Sequence, residues 1–233
     1  MKEAKNIAIV GATGLVGKTF LELLESDHFV NSNIHLVASK KSEGKKITFR
    51  NLEHQVNLLE SFDFSKVELA FFSAGSEVAK EYAPLAAEKG CLVIDNSSCF
   101  RRNKDIPLII PEVNSGVLHG FPDNGIIANP NCSTIQMLVA LKPLHDLYKI
   151  NRIDVTTFQA VSGTGKLAQE ELLKQSEQEL KGENIPISIY TKKIAFNALP
   201  HCDDFQENSY TFEEMKMVWE THRILDNNIE VTA

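Results

Sequence analysis

The sequence predicts an α/β fold, in which a doubly wound parallel sheet is followed by a smaller α+β domain. Two observations indicate this class. Short apolar runs alternate with amphipathic stretches over residues 1–130, and a long helical stretch with mixed elements follows over residues 131–233. Strands that alternate with helices form βαβ units and therefore a parallel sheet. We expect two domains with these bounds.

The predicted elements follow from the spacing of apolar residues. In the first part, strands are expected at 6–10, 34–38, 69–72, 92–94, 108–110 and 125–128, with helices at 19–24 and 77–89. In the second part, we expect a helix at 133–148 interrupted by Pro143, a β-rich run at 153–161, a charged helix at 166–181, the segment 185–190 and a last helix at 211–225.

The composition is that of a globular chain with an acidic balance. The 233 residues are 43% hydrophobic and 24% charged, and the formal net charge is −7. The one dense basic patch, Lys40-Lys41 with Lys45-Lys46, is too small for a nucleic acid or a membrane, although it could serve one phosphate. No apolar run reaches the roughly 18–20 residues of a membrane span, and no signal peptide is apparent. We expect a cytoplasmic protein without a nucleic-acid or membrane partner.

The turn after the first strand is Gly11-Ala12-Thr13-Gly14-Leu15-Val16-Gly17. Glycines between a strand and a helix let backbone N–H groups approach a pyrophosphate at the positive end of the helix. The spacing is GxxGxxG, whereas GxGxxG is commoner. The turn favours a Rossmann-type dinucleotide-binding domain over the alternative that the glycines only pack the helix on the strand.

The end of the second strand indicates which dinucleotide is bound. NAD enzymes place a carboxylate there for the ribose 2′-hydroxyl. Here the run is Ala38-Ser39-Lys40-Lys41-Ser42, and the nearest carboxylate, Glu43, comes only after it. Two lysines and two hydroxyl groups suit a 2′-phosphate. The run favours NADP over NAD, and the alternative is a solvated basic loop.

A second motif, Asn129-Pro130-Asn131-Cys132-Ser133-Thr134, sets a cysteine after a strand and at the start of a helix. Unpaired N–H groups and the helix dipole stabilise a thiolate there, and a thiolate attacks carbonyl carbon. Cys132 is thus the predicted nucleophile, whereas Cys91 and Cys202 are interpreted as small buried hydrophobes. The four cysteines form no CxxC pair, so neither a disulfide framework nor a metal site is predicted.

A nucleotide fold with a nucleophilic cysteine suggests covalent hydride-transfer chemistry. An aldehyde would add to the thiolate, lose hydride to a nicotinamide and leave a thioester for a second nucleophile. If that nucleophile is phosphate, the site needs cations, and Arg101 and Lys216 are candidates. Taken alone, each of them is better interpreted as a surface residue.

The chain as a whole resembles the aspartate-β-semialdehyde dehydrogenase family. The segments that carry the resemblance stand in the family's order and at similar spacing. They are GATGLVG at 11–17, ASKKS at 38–42, IDNSSCFR at 94–101, IPEVN at 110–114, NPNCST at 129–134, TFQAVSGTG at 157–165 and NSYTFEEMK at 208–216. The resemblance implies NADP-dependent, reversible reduction of aspartyl phosphate to aspartate semialdehyde, on the way to lysine, threonine and methionine. It also implies a homodimer or homotetramer.

The resemblance further implies roles for individual residues. Cys132 would form the acyl thioester and Gln159 would orient the substrate. Arg101 and Lys216 would hold the phosphate, Glu213 would lie near the substrate amino group, and Asn131 would belong to the same site. The expected cofactor-binding residues are Gly11, Thr13, Gly14, Leu15, Val16, Lys41, Ser42, Ser162 and Gly163. The family usually has Arg where Lys41 stands, and lysine keeps the charge but lacks the planar fork.

The resemblance implies two more groups, a carboxylate-binding arginine and an acid/base histidine, that would follow the strand at 229–233, and the chain ends before them. We expect the second domain to lack its C-terminal part. General acid–base catalysis is worth about 10²–10⁴-fold, so activity would be impaired. Two alternatives stay open, an impaired NADP-binding fragment and an acyl-phosphate reductase of the N-acetyl-γ-glutamyl-phosphate reductase type. No role is assigned to His28, His35, His54, His119, His145, His201 or His222.

Overall fold

The computed structural model describes residues 5–25, 29–122 and 124–233. His28 lies outside the described residues. The chain divides into two compact units: unit 1 comprises Met1–Asn151 and Glu220–Ile229, and unit 2 comprises Arg152–Trp219 and Glu230–Ala233. The two domains predicted from the sequence, with their boundary at residue 130, stay a prediction.

Unit 1 contains a parallel sheet of six strands. The strands of unit 1 are β1 (Asn6–Val10), β2 (Asn33–Ala38), β3 (Lys46–Phe49), β4 (Leu52–Gln55), β5 (Asn57–Leu58), β6 (Leu69–Phe72), β7 (Leu92–Asp95) and β8 (Gly125–Ala128). Six of them form the parallel sheet in the order β5-β2-β1-β6-β7-β8, in which every neighbouring pair is parallel. The chain moves from β1 to β2 on one side and then to β6 on the other, so the carboxyl ends of β1 and β6 form a topological switch point, where ligands bind in such folds. The pair β3–β4 forms an antiparallel hairpin.

Helices cover both faces of this sheet. The α-helices of the first segment of unit 1 are α1 (Leu15–Leu24), α2 (Ser76–Glu88), α3 (Pro111–Asn114) and α4 (Cys132–Tyr148). Because side chains alternate along a strand, Ile7 and Ile9 pack in the cluster with Leu21 of α1, while Ala8 and Val10 pack in the cluster with α2. Apolar groups buried on both faces confirm the doubly wound α/β prediction.

Unit 2 has less regular structure. Its strands β9 (Arg152–Asp154) and β10 (Glu230–Thr232) pair in parallel, and its long helix is α5 (Lys166–Lys181). Helix α6 (Phe212–Ile224) belongs to unit 2 up to Trp219 and to unit 1 from Glu220 onward. None of the described helices is long and apolar enough to cross a membrane.

The structure differs from the predicted elements in four places. A strand was predicted at 108–110, but the structure has only an isolated β-bridge there, between Leu108 and Ala128. Strand structure in the predicted run 153–161 ends at Asp154. Residues 185–190, for which no element type was predicted, form no helix or strand. Helix α1 begins at Leu15, four positions before the predicted start at 19. Helix α4 runs through Pro143 without interruption, since Leu138 and His145 on either side are buried and their packing outweighs the lost backbone hydrogen bond.

Candidate active site

The glycine turn lies at the carboxyl end of β1. Gly11 has φ +91°, and its N–H donates to the Val37 carbonyl at 2.8 Å. A Cβ on Gly11 would lie 2.8 Å from the backbone of Ser73, and a Cβ on Gly17 would lie 2.4 Å from the Gly11 carbonyl oxygen. Glycine is therefore required at position 11 by conformation and space, and at position 17 by the close approach of α1 to the turn.

The first turn of α1 is open to an anion. The N-cap, Gly14, has no side chain to bind the first N–H groups, and the first turn has no acidic residue. Leu15 and Val16 follow directly, so their N–H groups stand at the positive end of the helix dipole. A glycine cradle and an uncapped helix N-terminus together fit the pyrophosphate of a dinucleotide.

The loop after β2 contacts this turn through hydroxyl groups. Thr13 Oγ1 and Ser42 Oγ are 3.2 Å apart, and Lys45 Nζ donates to Ser42 Oγ at 3.4 Å. Lys41 is exposed beside them in a short 3-10 helix, Lys40–Ser42. The structure thus brings Ser42 to the glycine turn, and Lys41 precedes it in the chain.

The predicted nucleophile begins α4, a helix of 17 residues that follows β8. Cys132 is exposed. The side-chain oxygen of Asn131, the N-cap, accepts hydrogen bonds from Ser133 N at 2.9 Å and Thr134 N at 3.4 Å. This bonding fixes the turn and holds the exposed thiol at the N-terminus of α4.

Arg101 and Glu220 hold the turn that precedes Cys132. The Arg101 guanidinium donates to the carbonyls of Asn129 at 2.9 Å and Asn96 at 3.1 Å, and its Nη1 lies 3.5 Å from Glu220 Oε1. Glu220 Oε2 accepts the Asn131 N–H at 2.7 Å, and Glu220 is only 4% exposed. Glu220 was not predicted, because a glutamate in a charged helix carries no sequence signal that it is buried.

A second buried carboxylate ends β7. Asp95 is fully buried and accepts hydrogen bonds from Ser97 N at 3.0 Å and Ser97 Oγ at 2.7 Å. Burial raises the pKa of Asp95, although the bonds from Ser97 and the charge of Arg101 oppose the rise. The Asn129 N–H donates to the Asp95 carbonyl at 2.8 Å, so this strand end also supports the Cys132 turn.

Unit 2 holds the other predicted substrate residues. Gln159 Nε2 donates to Glu213 Oε1 at 3.2 Å, and Lys216 Nζ donates to Glu213 Oε2 and to Asp203 Oδ2, both at 2.8 Å. Burial lowers the pKa of Lys216, but these two hydrogen bonds outweigh it and the pKa lies above its ordinary value. Asp203 was not predicted, because its loop has no periodic pattern that would place it beside α6.

Two other cysteines and the last predicted cofactor residues differ in their exposure. Cys91 is buried as predicted, and burial raises the pKa of its thiol to about 12. Cys202 is exposed, so its interpretation as a buried hydrophobe was wrong; its Sγ lies 3.7 Å from Gln159 Oε1, in a polar cluster. Ser162 and Gly163 lie in an exposed 3-10 turn, and their place at the nicotinamide stays a prediction. Among the described residues, no group of His, Cys, Asp and Glu side chains could hold a metal ion.

Comparison with known proteins gives consistent matches along the chain. Residues 6–120 match the family model "Semialdehyde dehydrogenase, NAD binding domain", and residues 141–233 match "Semialdehyde dehydrogenase, dimerisation domain". The chain is 54% identical over 228 residues to an aspartate-semialdehyde dehydrogenase of Legionella pneumophila, covering 98% of this chain and 66% of the relative. It is 49% identical to that of Shewanella violacea, covering 99% and 69%. The chain spans about two thirds of the length of these curated relatives.

Solved structures give the same result. Aspartate semialdehyde dehydrogenase II of Vibrio cholerae, complexed with ASA, superposes with a TM-score of 0.94 at 50% identity, covering 97% of this chain and 68% of that one. Aspartate semialdehyde dehydrogenase of Candida albicans, solved with NADP, superposes with a TM-score of 0.71 at 25% identity, covering 98% and 66%.

Proposed function

The chain belongs to the aspartate-semialdehyde dehydrogenase family, and we propose that it acts in the NADP-dependent, reversible conversion of L-aspartyl 4-phosphate to L-aspartate 4-semialdehyde. In metabolism this conversion would supply lysine, threonine and methionine. The observation that carries the proposal is the exposed Cys132 at the N-terminus of α4, with the same unit presenting a glycine turn suited to a dinucleotide.

Cys132 would act as the nucleophile in both directions. In the oxidative direction its thiolate attacks the aldehyde carbon, and the oxyanion takes up a proton to give a thiohemiacetal. The thiohemiacetal becomes a thioester when its carbon loses hydride to the oxidised dinucleotide and its hydroxyl group loses the proton to solvent. A phosphate oxygen then attacks the thioester carbonyl, the C–S bond breaks, and the thiolate is regenerated with the acyl phosphate as product. The Asn131 cap supports this role, because it fixes the turn that presents the sulfur.

The cofactor would be held by the glycine turn and the loop after β2. Gly11, Gly14 and the N–H groups of Leu15 and Val16 would bind the pyrophosphate, as the cradle at Gly11 and the uncapped helix favour. Thr13, Lys41 and Ser42 would surround the 2′-phosphate, with Lys45 as a further cation. When bound, the nicotinamide exchanges a hydride with the substrate carbon.

The substrate would be recognised by charge. The Glu213 carboxylate suits an α-amino group, and its hydrogen bond from Gln159 would orient both side chains. Lys216 and Arg101 would hold the phosphate. A guanidinium has five N–H donors, and the contacts of Arg101 with Asn96, Asn129 and Glu220 use three nitrogen positions, which leaves N–H groups for an anion.

We also propose that the protein functions as a homo-oligomer, either a homodimer or a homotetramer. The match of residues 141–233 to a dimerisation model supports this. Unit 2 also exposes large apolar side chains, including Phe158 at 92% and Leu180 at 80%, which in a monomer would remain in water.

The test is phosphate-dependent formation of NADPH from aspartate semialdehyde, measured for the wild type, Cys132→Ala and the matched variant Cys99→Ala. Cys99 is a half-buried free cysteine to which the proposal gives no role. We expect turnover in the wild type and in Cys99→Ala, and a loss of at least about 10³-fold in Cys132→Ala, because the nucleophile is removed. NADP binding, followed by thermal shift, should survive in all three. Turnover that persists in Cys132→Ala would contradict the proposal.

Two other outcomes would favour the alternatives. A wild type that binds NADP without turnover would be a cofactor-binding module. Turnover with N-acetyl-glutamate semialdehyde in place of aspartate semialdehyde would indicate the other class of acyl-phosphate reductase.

A further inference from the structure

The ammonium group of Lys216 lies between two carboxylates in unit 2. Lys216 Nζ is 2.8 Å from Asp203 Oδ2 and 2.8 Å from Glu213 Oε2. The side chains of Lys216 and Glu213 are 16% and 12% exposed, and that of Asp203 is 33% exposed. Two negative charges and one positive charge therefore share a partly shielded site with a net charge of −1, where electrostatic interactions are stronger than in bulk water.

Only one of these carboxylates has a role in the proposed function. Glu213 also accepts a hydrogen bond from Gln159, as expected of a group that receives the substrate amino group. Among the hydrogen bonds of the described residues, the Asp203 carboxylate is bonded to neither Glu213 nor Gln159. It accepts from Lys216 Nζ, and its Oδ1 accepts the N–H of the next residue, Asp204, at 3.0 Å. A phosphate that approaches Lys216 meets the charge of Asp203, so the two anions compete for one ammonium group.

The backbone indicates that Asp203 is held in this place. Its φ is +70°, in the left-handed region that Asp and Asn enter more readily than other residues with a side chain. The loop is tied to the start of α6 by the Phe212 N–H, which donates to the Asp204 carbonyl at 2.8 Å, and by the bridge between Phe205 and Thr211. These two ties hold the loop at the start of α6, and the loop presents the Asp203 carboxylate to Lys216.

We propose that Asp203 is a specificity-determining residue of the phosphate subsite, which occupies Lys216 when phosphate is absent and weakens phosphate binding when it is present. The inference rests on the proposed function, in which Lys216 holds phosphate. In the reductive direction phosphate is a product, so a competing carboxylate would favour its release. In the oxidative direction the same competition would raise the phosphate concentration that the reaction requires.

The test uses Asp203→Asn and the matched control Asp204→Asn. Asparagine keeps the size of the side chain and tolerates a left-handed φ, so the first variant removes the charge without changing the loop. The second removes the same charge one position along the chain, from an exposed residue. Binding of inorganic phosphate is measured by calorimetry at constant ionic strength, and where the protein turns over, the KM for phosphate is measured beside the KM for aspartate semialdehyde.

We expect Asp203→Asn to tighten phosphate binding by about twofold to fivefold, the scale of a partly exposed ion pair, and to lower the KM for phosphate by the same factor. The KM for the semialdehyde should change less than twofold, and Asp204→Asn should match the wild type. Unchanged or weaker phosphate binding in Asp203→Asn would overturn the inference.

The failure of this inference is distinguishable from the failure of the proposed function. Turnover in the wild type with equal phosphate affinity in both variants would leave the function standing and remove the role of Asp203. Tighter phosphate binding in Asp203→Asn without any turnover would support the role of Asp203 and contradict the proposed reaction. A Lys216→Ala variant that binds phosphate as well as the wild type would overturn the inference, because the competition requires Lys216.

Discussion

At the scale of single residues, Glu220 connects parts of unit 1 that are far apart in sequence. Its carboxylate accepts the Asn131 N–H at 2.7 Å and lies 3.5 Å from the Arg101 guanidinium. The two side chains of this ion pair are 5% and 11% exposed. Removal of one partner from a buried ion pair leaves the other charge uncompensated, which costs more than the pair itself contributes. We therefore expect the conformation of the turn before Cys132 to depend on Glu220, which lies 88 positions further along the chain.

The prediction at this scale concerns Glu220→Ala and Glu220→Gln. We expect the alanine variant to lower the free energy of unfolding by about 3–5 kcal/mol, because Arg101 keeps its charge without a partner. The glutamine variant should lose about 1–3 kcal/mol, since its amide oxygen can still accept the Asn131 N–H. Urea unfolding measures both.

The control is Glu177→Ala, which removes an exposed glutamate of α5 and should change the free energy of unfolding by no more than about 0.5 kcal/mol. If Glu220→Ala and Glu177→Ala unfold at the same urea concentration, the bonding of Glu220 contributes nothing to stability.

At the scale of elements, local patterns predicted the sheet of unit 1 well, whereas segments held by distant side chains were missed. The runs at 6–10 and 69–72 are apolar enough to indicate buried strands without further information. Residues 108–110 looked the same, but only Leu108 bridges to β8. In unit 2, Glu171 of α5 holds residues 185–190 through hydrogen bonds from Ser188 and Ile189. The sequence of the segment has no periodicity that would predict this contact.

The candidate site follows the same division. Cys132 and the glycine turn were predictable because their chemistry depends on a strand, a turn and a helix that are adjacent in sequence. Glu220 and Asp203 were not, because each acquires its function from a partner brought near by the tertiary fold.

Glu171 of α5 anchors the segment that follows this helix. Its carboxylate accepts hydrogen bonds from Ser188 Oγ at 2.7 Å, Ile189 N at 2.5 Å and Gln175 Nε2 at 2.9 Å. Burial raises the pKa of Glu171, but the hydrogen bonds from Ser188 and Ile189 outweigh it and hold the pKa below the ordinary value of 4.5. The stabilisation is therefore fully present above about pH 4.5 and is lost as pH falls through the lowered pKa.

We expect Glu171→Gln to lower the free energy of unfolding by about 1–3 kcal/mol at pH 7. It should lower it less at pH 3, because the unfolded wild-type chain binds a proton at this carboxyl group below its ordinary pKa of 4.5, and the stabilisation by the folded carboxylate decreases there. Urea unfolding at the two pH values tests this, with the exposed neighbour Glu170→Gln as the control. An equal difference between Glu171→Gln and wild type at both pH values would show that the charge of Glu171 is not involved.

At the scale of the whole molecule, unit 1 is discontinuous in sequence. Its main segment ends at Asn151, and residues Glu220–Ile229 complete it. Ile224 is 7% exposed and packs in a cluster with Leu138 of α4 and Ile110. Arg223 of the returning segment donates to the carbonyls of Arg101 and Ile106. The sequence predicts a domain boundary at residue 130 because the pattern of elements changes there. A sequence pattern does not show which later segment packs back onto an earlier core, so the place of residues 220–229 in unit 1 was not predicted.

The returning segment leads to a prediction about fragments. A chain of residues 1–151 contains every strand of the six-stranded sheet and the whole glycine turn, but lacks Glu220, Arg223 and Ile224. Loss of the buried isoleucine alone should cost about 2–5 kcal/mol, and the unpaired Arg101 adds to this cost. Since a domain is stable by only about 5–15 kcal/mol, we expect the fragment to melt well below the full chain and to bind a hydrophobic dye at the exposed cluster. Ile224→Ala in the full chain should lie between the two, because it empties the cluster and keeps Glu220. A fragment that melts at the temperature of the full chain, without binding dye, would mean that residues 220–229 contact unit 1 without stabilising it.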